Sequence, residues 1–223
     1  MVQAIGEVLP LGVGVALSPV PIIGVVLMLG TSRGRSNGPA FLLGWIFGLA
    51  LAGTAVLLIS GGADATERGE PADWLNVVRL LAGLLLLRIA VRQWRGRPRE
   101  GEEPSLPGWM RSVDRFTMTR SALFGAALSG VNPKNLLLTI GAATAIAQTE
   151  VATGRQAIAL AVFVAIGTIG VAIPVAAYFA MGERSRRLLE GMKTWMAANN
   201  ATVIAVICLL IGAKLIGDGI AGF

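Results

Sequence analysis

Histidine is absent from this chain of 223 residues, cysteine occurs once, and charged residues are scarce, at 14% of the sequence. Without histidine, the chain lacks the commonest metal ligand and the commonest general base near neutral pH. Cys208 has no second cysteine with which to form an intrachain disulfide or a thiol pair. Carboxylates cluster in the connections between apolar runs, and no phosphate-binding glycine motif precedes a lysine at the required spacing. We therefore expect neither an enzyme nor a metal or cofactor site.

Apolar sequence dominates what the chain does contain. Hydrophobic residues make up 54% of it, and they fall into runs of about twenty residues, the length that crosses a bilayer as a helix. These runs predict an all-α polytopic membrane protein, with one membrane domain over residues 1–223 and no separate soluble domain. The six predicted transmembrane helices are about residues 5–29, 39–60, 74–93, 120–146, 155–181 and 199–220.

The basic residues lie mostly in alternate connections between these helices. Thirteen of the 19 lysines and arginines fall in the first, third and fifth connections, if Arg92 and Arg120 at the ends of the neighbouring helices are counted with the third. The second and fourth connections carry only Arg68 and, at the start of helix five, Arg155. Cytoplasmic loops carry such an excess, so both termini are predicted outside. This bias explains the net charge of +6 better than a nucleic-acid surface does. Abundant arginine, alanine and glycine indicate GC-rich codons and hence a bacterial cytoplasmic membrane.

Two of the apolar runs are interrupted by proline at matching places. Residues 16–21 read Ala-Leu-Ser-Pro-Val-Pro, and residues 127–135 read Ala-Leu-Ser-Gly-Val-Asn-Pro-Lys-Asn, 111 residues later. Proline removes a backbone donor and clashes with the preceding turn, so helices one and four are predicted to be broken. One broken helix in each half is typical of secondary transporters, so we expect helices one and four to meet and form a central site at their breaks. With three helices per half, the two repeats (about 5–93 and 120–220, joined by a loop at about 94–119) are predicted to be inverted.

The second interruption carries the strongest candidate site. Lys134 lies about 14 residues, or roughly 21 Å, from the cytoplasmic start of helix four. A charge at that depth costs roughly 2.5–3.5 kcal/mol, so we expect it to face a cavity or, alternatively, to pair with a carboxylate that ties helices together. The half-helix after Pro133 also presents free amides and a positive dipole end, which suit an anionic headgroup or carboxylate. The predicted substrate-binding residues are Ser18, Pro19, Pro21, Asn132, Pro133, Lys134 and Asn135.

Four other charged residues within the predicted helices are candidates for a gate or for energy coupling. Lys214 and Asp218 lie four residues apart on helix six, so they share a face and can neutralise each other. Arg79 and Arg88 lie nearer the two ends of helix three, where both can instead extend to the membrane surface. Glu7, near the outer end of helix one, is interpreted as an interfacial residue.

Small residues at helical spacing predict close contacts between helices. Gly44 and Gly48 form a G-x-x-x-G pattern in helix two, and Gly167 and Gly170 lie in helix five. Such glycines let two backbones approach each other in a membrane. We expect them to pack within the chain rather than to form a dimer contact.

Several elements together carry a resemblance to a known family. They are Ser18–Pro21, Trp94 with Arg95, Arg97 and Pro98, Trp109, Asp114, Asn132–Leu136 and Gly212–Ile220. The chain resembles, over nearly its whole length, the GAP-type family (peptidoglycolipid or sulfolipid addressing proteins, Sap-like) of the lysine-exporter superfamily. The resemblance implies a six-helix fold of two inverted repeats and a role in moving envelope lipids or glycolipids. It also implies that the seven predicted substrate-binding residues occupy the family's motif positions.

These observations predict a transporter or flippase for an anionic lipid or glycolipid of the bacterial envelope. Two alternatives remain open from the sequence: an exporter of amino acids or small polar metabolites, and a non-transporting accessory subunit of a lipid export system. The expected partners are membrane lipids and the lipid or glycolipid substrate, without nucleic acid. The sequence is also compatible with a homo-oligomer.

Overall fold

The computed structural model describes residues 2–62, 73–97, 113–149 and 152–222. Helices account for 92% of these residues and no strand occurs among them, which confirms the all-α prediction for this part of the chain. The α-helices in it are α1 (Val2–Ala16), α2 (Pro19–Leu29), α3 (Gly34–Gly62), α4 (Asp73–Arg95), α5 (Met118–Gly130), α6 (Pro133–Ala147), α7 (Thr153–Met181) and α8 (Ser185–Ala221).

The first predicted helix is broken where its prolines lie. α1 and α2 meet at Leu17 and Ser18, and their axes are bent by 52°. Ser18 has an extended backbone, with φ −93° and ψ 104°, and Pro19 opens α2. Proline suits this first helical position because its missing N–H would have no partner there in any case. The broken first helix is therefore confirmed.

The fourth predicted helix is broken in the same way. α5 ends at Gly130, and α6 begins at Pro133 after Val131 and Asn132. The Asn132 side chain caps the new helix, because its oxygen accepts a hydrogen bond from the backbone N–H of Lys134 at 3.2 Å. The second interruption is confirmed as well.

Two of the predicted helix boundaries are wrong. α3 begins at Gly34 rather than near residue 39, and α8 begins at Ser185 rather than near residue 199. The charges of residues 185–198 suggested a connection, but arginine, leucine, glutamate, methionine and lysine are also good helix formers, and Leu189 is buried. With 37 residues, α8 is about 55 Å long and extends well past a hydrocarbon core of about 30 Å.

Three helical stretches of the described chain are long and apolar enough to cross a membrane: Gly34–Ser60, Trp74–Arg95 and Thr153–Ala221. The bent pair α1 and α2 adds a fourth if it counts as one span. The third stretch contains both α7 and α8, which are separated at Gly182, a glycine with φ +54°. α5 and α6 have 13 and 15 residues, too few to cross singly. The six spans and their inverted repeat remain a prediction.

Three residues used in the sequence analysis, Arg68, Pro98 and Trp109, lie outside the described residues.

Glycines bring α3 and α5 into backbone contact. A Cβ added at Gly44 would overlap the backbone of Ala122, and one at Gly48 would overlap Ala126. A Cβ at Gly170 of α7 would likewise overlap the carbonyl of Ala16, at the end of α1. The predicted small-residue packing within the chain is confirmed at these positions.

The packing of α3 against α5 generates a stability prediction. Gly44→Ala forces the two backbones apart, so we expect it to lower the free energy of unfolding by about 1–3 kcal/mol, the usual cost of overpacking. Denaturation of the purified protein in mixed detergent micelles measures this change. Gly217→Ala is the control, because no atom lies within 4 Å of a Cβ added there, and it should be neutral or slightly stabilising. Equal stability of Gly44→Ala and the wild type would contradict the close contact.

Candidate functional site

The two interruptions lie against each other and are joined by Lys134. Its ammonium group donates hydrogen bonds to the backbone carbonyl of Gly14 and to the hydroxyl of Ser18, each at 2.7 Å. Lys134 itself is only 6% exposed. Lys134, in the first turn of α6, therefore reaches across to the end of α1, and the predicted meeting of the two broken helices is found.

The Ser18 hydroxyl connects three groups at this junction. Besides accepting from Lys134, it lies 2.7 Å from the carbonyl of Val15 and 3.0 Å from the side-chain oxygen of Asn135. A hydroxyl carries one hydrogen, so it donates to only one of these two oxygens at a time. Because Pro19 has no N–H, the Val15 carbonyl lacks the helical donor four residues later, and Ser18 replaces it. The serine hydroxyl thus supplies a donor in place of the N–H that the proline lacks.

Asn135 supplies a hydrogen-bond donor to a free carbonyl at the second interruption. Its side-chain amide donates to the carbonyl of Leu128 at 3.0 Å. In an unbroken helix that carbonyl would accept from the N–H of Asn132, but this N–H bonds to Ala127 instead, at 3.2 Å. Ser18 and Asn135 are 3% and 0% exposed, so water does not compete at either carbonyl. The backbone groups that the two breaks free are thus satisfied by buried protein side chains.

Dipoles rather than a counter-ion stabilise the charge of Lys134. Within the described residues, no carboxylate lies at ion-pair distance from its ammonium group. The ammonium is instead close to the carboxyl end of α1, where the helix dipole is negative. Two of its three hydrogens are used by Gly14 and Ser18. The buried thiol of Cys208, on α8, is near enough for an electrostatic interaction.

The remaining predicted substrate-binding residues surround this junction without contacting the ammonium. Pro19 and Pro21 are buried in the first turn of α2, Asn132 is half-buried and Pro133 is exposed. The cavity that Lys134 was predicted to face is not the cavity of about 780 Å³ beside the ends of α2 and α7, because Lys134 is not among the residues that line it. The alternative pairing with a carboxylate is absent among the described residues too. The substrate-binding roles remain predictions.

A cluster of charges lies where the beginning of α1 meets the end of α8. Lys214 contacts the carboxylates of Glu7 at 2.7 Å and Asp218 at 2.5 Å. Arg79 of α4 is 8% exposed, is attracted electrostatically to both carboxylates, and leaves its buried Nε without a hydrogen-bond partner in the described structure. The predicted contact of Lys214 with Asp218 is confirmed. Arg88, by contrast, is exposed on α4 beside Arg92 and Arg95, apart from this cluster.

Sequence reasoning missed two partners in these sites. Glu7 is 207 residues away from Lys214, and no local pattern connects them. Gly14 acts through its backbone carbonyl, which has no side-chain signature. The prolines were the only signal for it, since a helix that ends at a break leaves the carbonyls of its last turn without intrahelical donors.

One comparison with known proteins identifies the family. A family model described as "Sap, sulfolipid-1-addressing protein" matches residues 8–221. The chain belongs to this family. The matched segment includes both interruptions and Lys134, whereas Glu7 lies one residue before it. No curated protein and no solved structure matches the chain. The resemblance to Sap-like proteins is thus confirmed, and membership of the lysine-exporter superfamily remains a prediction.

Proposed function

We propose that this protein moves an anionic lipid or glycolipid of the bacterial envelope across the cytoplasmic membrane, by alternating access around the two interruptions. The observation that carries the proposal is the buried Lys134 ammonium, held at the junction of two broken apolar helices by a carbonyl and a hydroxyl. A buried charge without a counter-ion gains more from an arriving anion than one that is already paired. The family description supports a lipid cargo that carries negative charge.

In the proposed transport step, the headgroup anion replaces the Gly14 carbonyl and the Ser18 hydroxyl on the ammonium group. Hydrogen bonds to a charged group contribute about 1.5–3 kcal/mol each, so an ion pair with the headgroup is of the right size to offset their loss. Releasing them also removes the direct polar links from Lys134 to the first interruption. The two broken helices then become free to shift relative to each other, which opens the junction to the opposite side.

The proposed membrane arrangement is six spans in two inverted repeats, with α1 to α4 in one repeat and α5 to α8 in the other. Reciprocal packing supports it: α3 packs along α5, and α7 packs along α1. In the same way, α2 contacts α8 and α6 contacts α4, while α4 and α8 pack on each other. In the proposed repeat, α1 corresponds to α5, α2 to α6, α3 to α7 and α4 to α8. Exchanging the corresponding helices turns each of these contacts into another of them or into itself, as a two-fold axis in the membrane plane requires.

The glycine contacts follow the same reciprocity. Gly48 of α3 meets the backbone of Ala126, shortly before the second interruption, and Gly170 of α7 meets the carbonyl of Ala16, shortly before the first. Each unbroken helix thus supports the broken helix of the other repeat. The excess of basic residues in the odd-numbered connections favours a cytoplasmic location for that end and an outer location for both termini.

The charge cluster of Glu7, Arg79, Lys214 and Asp218 is the proposed outer gate. It joins α1, α4 and α8 at the end that carries the termini. The side chains of Lys214, Glu7 and Asp218 are 29–35% exposed, so solvent screens their ion pairs and each contributes little. Weak, reversible pairs suit a contact that has to break in every transport cycle.

Transport by the purified protein in liposomes tests the function. The probe is sulfogalactosylceramide with a fluorescent nitrobenzoxadiazole label, and dithionite added outside reports probe that reaches the outer leaflet. We expect the wild type to accelerate this movement, and Lys134→Met to slow it by about tenfold or more, the rate equivalent of one lost charge-assisted hydrogen bond. Lys134→Arg should retain part of the activity. Arg155→Met, which removes an exposed charge at the start of α7, is the matched control.

Two outcomes would contradict this account in different ways. If wild-type liposomes moved the probe no faster than protein-free ones, the protein would not transport it alone and the accessory-subunit alternative would be favoured. If Lys134→Met were as fast as the wild type, transport would stand but its assigned site would be wrong.

Cys208 provides a native probe of the outer gate. It is buried, and it lies six residues, or about 9 Å, inward from Lys214 along α8. We expect Glu7→Gln, which removes the ion pair between α1 and α8, to speed the reaction of Cys208 with a membrane-impermeant maleimide added to intact cells. Asp218→Asn keeps the contact between α1 and α8 and should have a smaller effect, with Cys208→Ser as the background. Equal rates in Glu7→Gln and the wild type would argue against a gate here.

A further inference from the structure

A cavity of about 780 Å³ lies among the end of α2, the end of α7 and the beginning of α8. We call it the vestibule; its lining includes Leu27, Arg35, Asp114, Tyr178, Glu190 and Lys193. Its volume falls in the range of about 300–1,000 Å³ that is typical of ligand sites. Glu190 and Asp218 are 28 residues apart on α8, about 42 Å, so the vestibule is far from the charge cluster at the other end.

The vestibule presents both signs of charge in equal number. Arg35, Arg186 and Lys193 line it together with Asp114, Glu183 and Glu190. Arg186 and Glu183 contact each other at 3.3 Å, and no ion pair among the described residues joins the other four. A site for a simple phosphate group would carry excess positive charge. Two available carboxylates beside two available cations instead fit a headgroup that has hydroxyl donors as well as an anionic group.

The vestibule also has an aromatic and apolar wall. The rings of Tyr178 and Phe179 lie edge to face, with centroids 5.4 Å apart, and both residues line the cavity with Leu27. Phe179 is 53% exposed and the nearby Met181 is 44% exposed, so this wall continues onto the outer apolar surface of the helices. A sugar ring presents apolar C–H faces to aromatic rings, and hydrocarbon chains attached to it are able to stay on that outer surface. The wall therefore suits a sugar-bearing lipid.

The position of α2 connects the vestibule to the central junction. α2 begins next to Ser18, the partner of Lys134, and ends at the vestibule after 11 residues, about 16 Å. A headgroup in the vestibule is thus one short helix away from the buried ammonium. Because α2 begins next to Ser18, a displacement of α2 would also displace the hydroxyl partner of Lys134.

We propose that the vestibule is a loading site for an anionic glycolipid headgroup, separate from the Lys134 junction. Asp114 and Glu190 accept hydrogen bonds from sugar hydroxyls, Arg35 and Lys193 contact the sulfate or phosphate, and Tyr178 lies against the sugar ring. The hydrocarbon chains remain outside, against Phe179. This inference rests on the proposed function and adds to it the place where the substrate first binds.

Native mass spectrometry of lipid binding to the purified protein tests the loading site. The probes are sulfogalactosylceramide, which has a sugar and an anion, galactosylceramide, which has only the sugar, and phosphatidylglycerol, which has only the anion. We expect the wild type to bind the first probe most tightly. The Asp114→Asn, Glu190→Gln double variant should lose about tenfold in preference over phosphatidylglycerol, and the Arg35→Gln, Lys193→Gln variant should lose a similar factor over galactosylceramide, as for one charged hydrogen bond each.

The matched control removes two exposed charges that lie in the same region but outside the lining of the vestibule. Arg184 and Arg187 do not line it, so the Arg184→Gln, Arg187→Gln variant should bind all three probes as the wild type does. An equal loss in this control would reveal only general attraction of lipids to basic residues and would overturn the proposal. Wild-type binding of phosphatidylglycerol as tight as that of sulfogalactosylceramide would also overturn it.

The outcomes for the loading site and for transport are separable. Lys134→Met should still bind sulfogalactosylceramide at the vestibule although its transport is slowed. If the wild type moves no lipid but the binding pattern holds, the loading site stands and the proposed transport fails. If the wild type transports and the vestibule variants bind as it does, only the loading site fails.

Discussion

The hydrogen bonds from the Lys134 ammonium to the Gly14 carbonyl and the Ser18 hydroxyl are the contact on which the rest of the structure depends. Two apolar helices that break leave carbonyls without their helical donors, and each such buried group is costly when it has no partner. Lys134, Ser18 and Asn135 supply the missing donors from side chains. The two breaks stabilise each other, so neither is a local defect that a straight helix could replace without loss.

The same contact links structure to the proposed function. An ammonium held by dipoles is stable enough to be buried, yet it retains an attraction for an anion that a fully formed ion pair would have lost. The proposed gate contrasts with it, because Lys214 has two carboxylate partners and partial exposure to solvent. In this structure ion pairs lie at the end of the molecule that carries the termini, and the vestibule lies at the other end. The proposed carrier, open toward its basic connections, would have this arrangement.

Much of the fold followed from the sequence because prolines and intramembrane charges are local signals. The positions of Pro19, Pro133 and Lys134 were sufficient to predict both interruptions and their meeting. Between residues 185 and 198, helix propensity favours a helix, whereas the charges suggest a connection between helices. The prediction followed the charges and therefore placed the start of α8 too late in the chain. Glu7 and the Gly14 carbonyl were not found, since one depends on a contact across 207 residues and the other on the backbone alone. The vestibule could not be foreseen either, because it assembles residues from distant parts of the chain.

A double-mutant cycle between Ser18 and Lys134 tests the central contact most directly. The free energies of unfolding of Ser18→Ala, Lys134→Met and the double variant are measured in detergent micelles. The account predicts a coupling energy of about 0.5–3 kcal/mol, as for residues in one hydrogen-bond network. Ser129 is the counterpart of Ser18 near the second interruption, but its hydroxyl donates to the Ala126 carbonyl instead. The effects of Ser129→Ala and Lys134→Met on the free energy of unfolding should therefore be additive. Additive effects of Ser18→Ala and Lys134→Met would contradict the account.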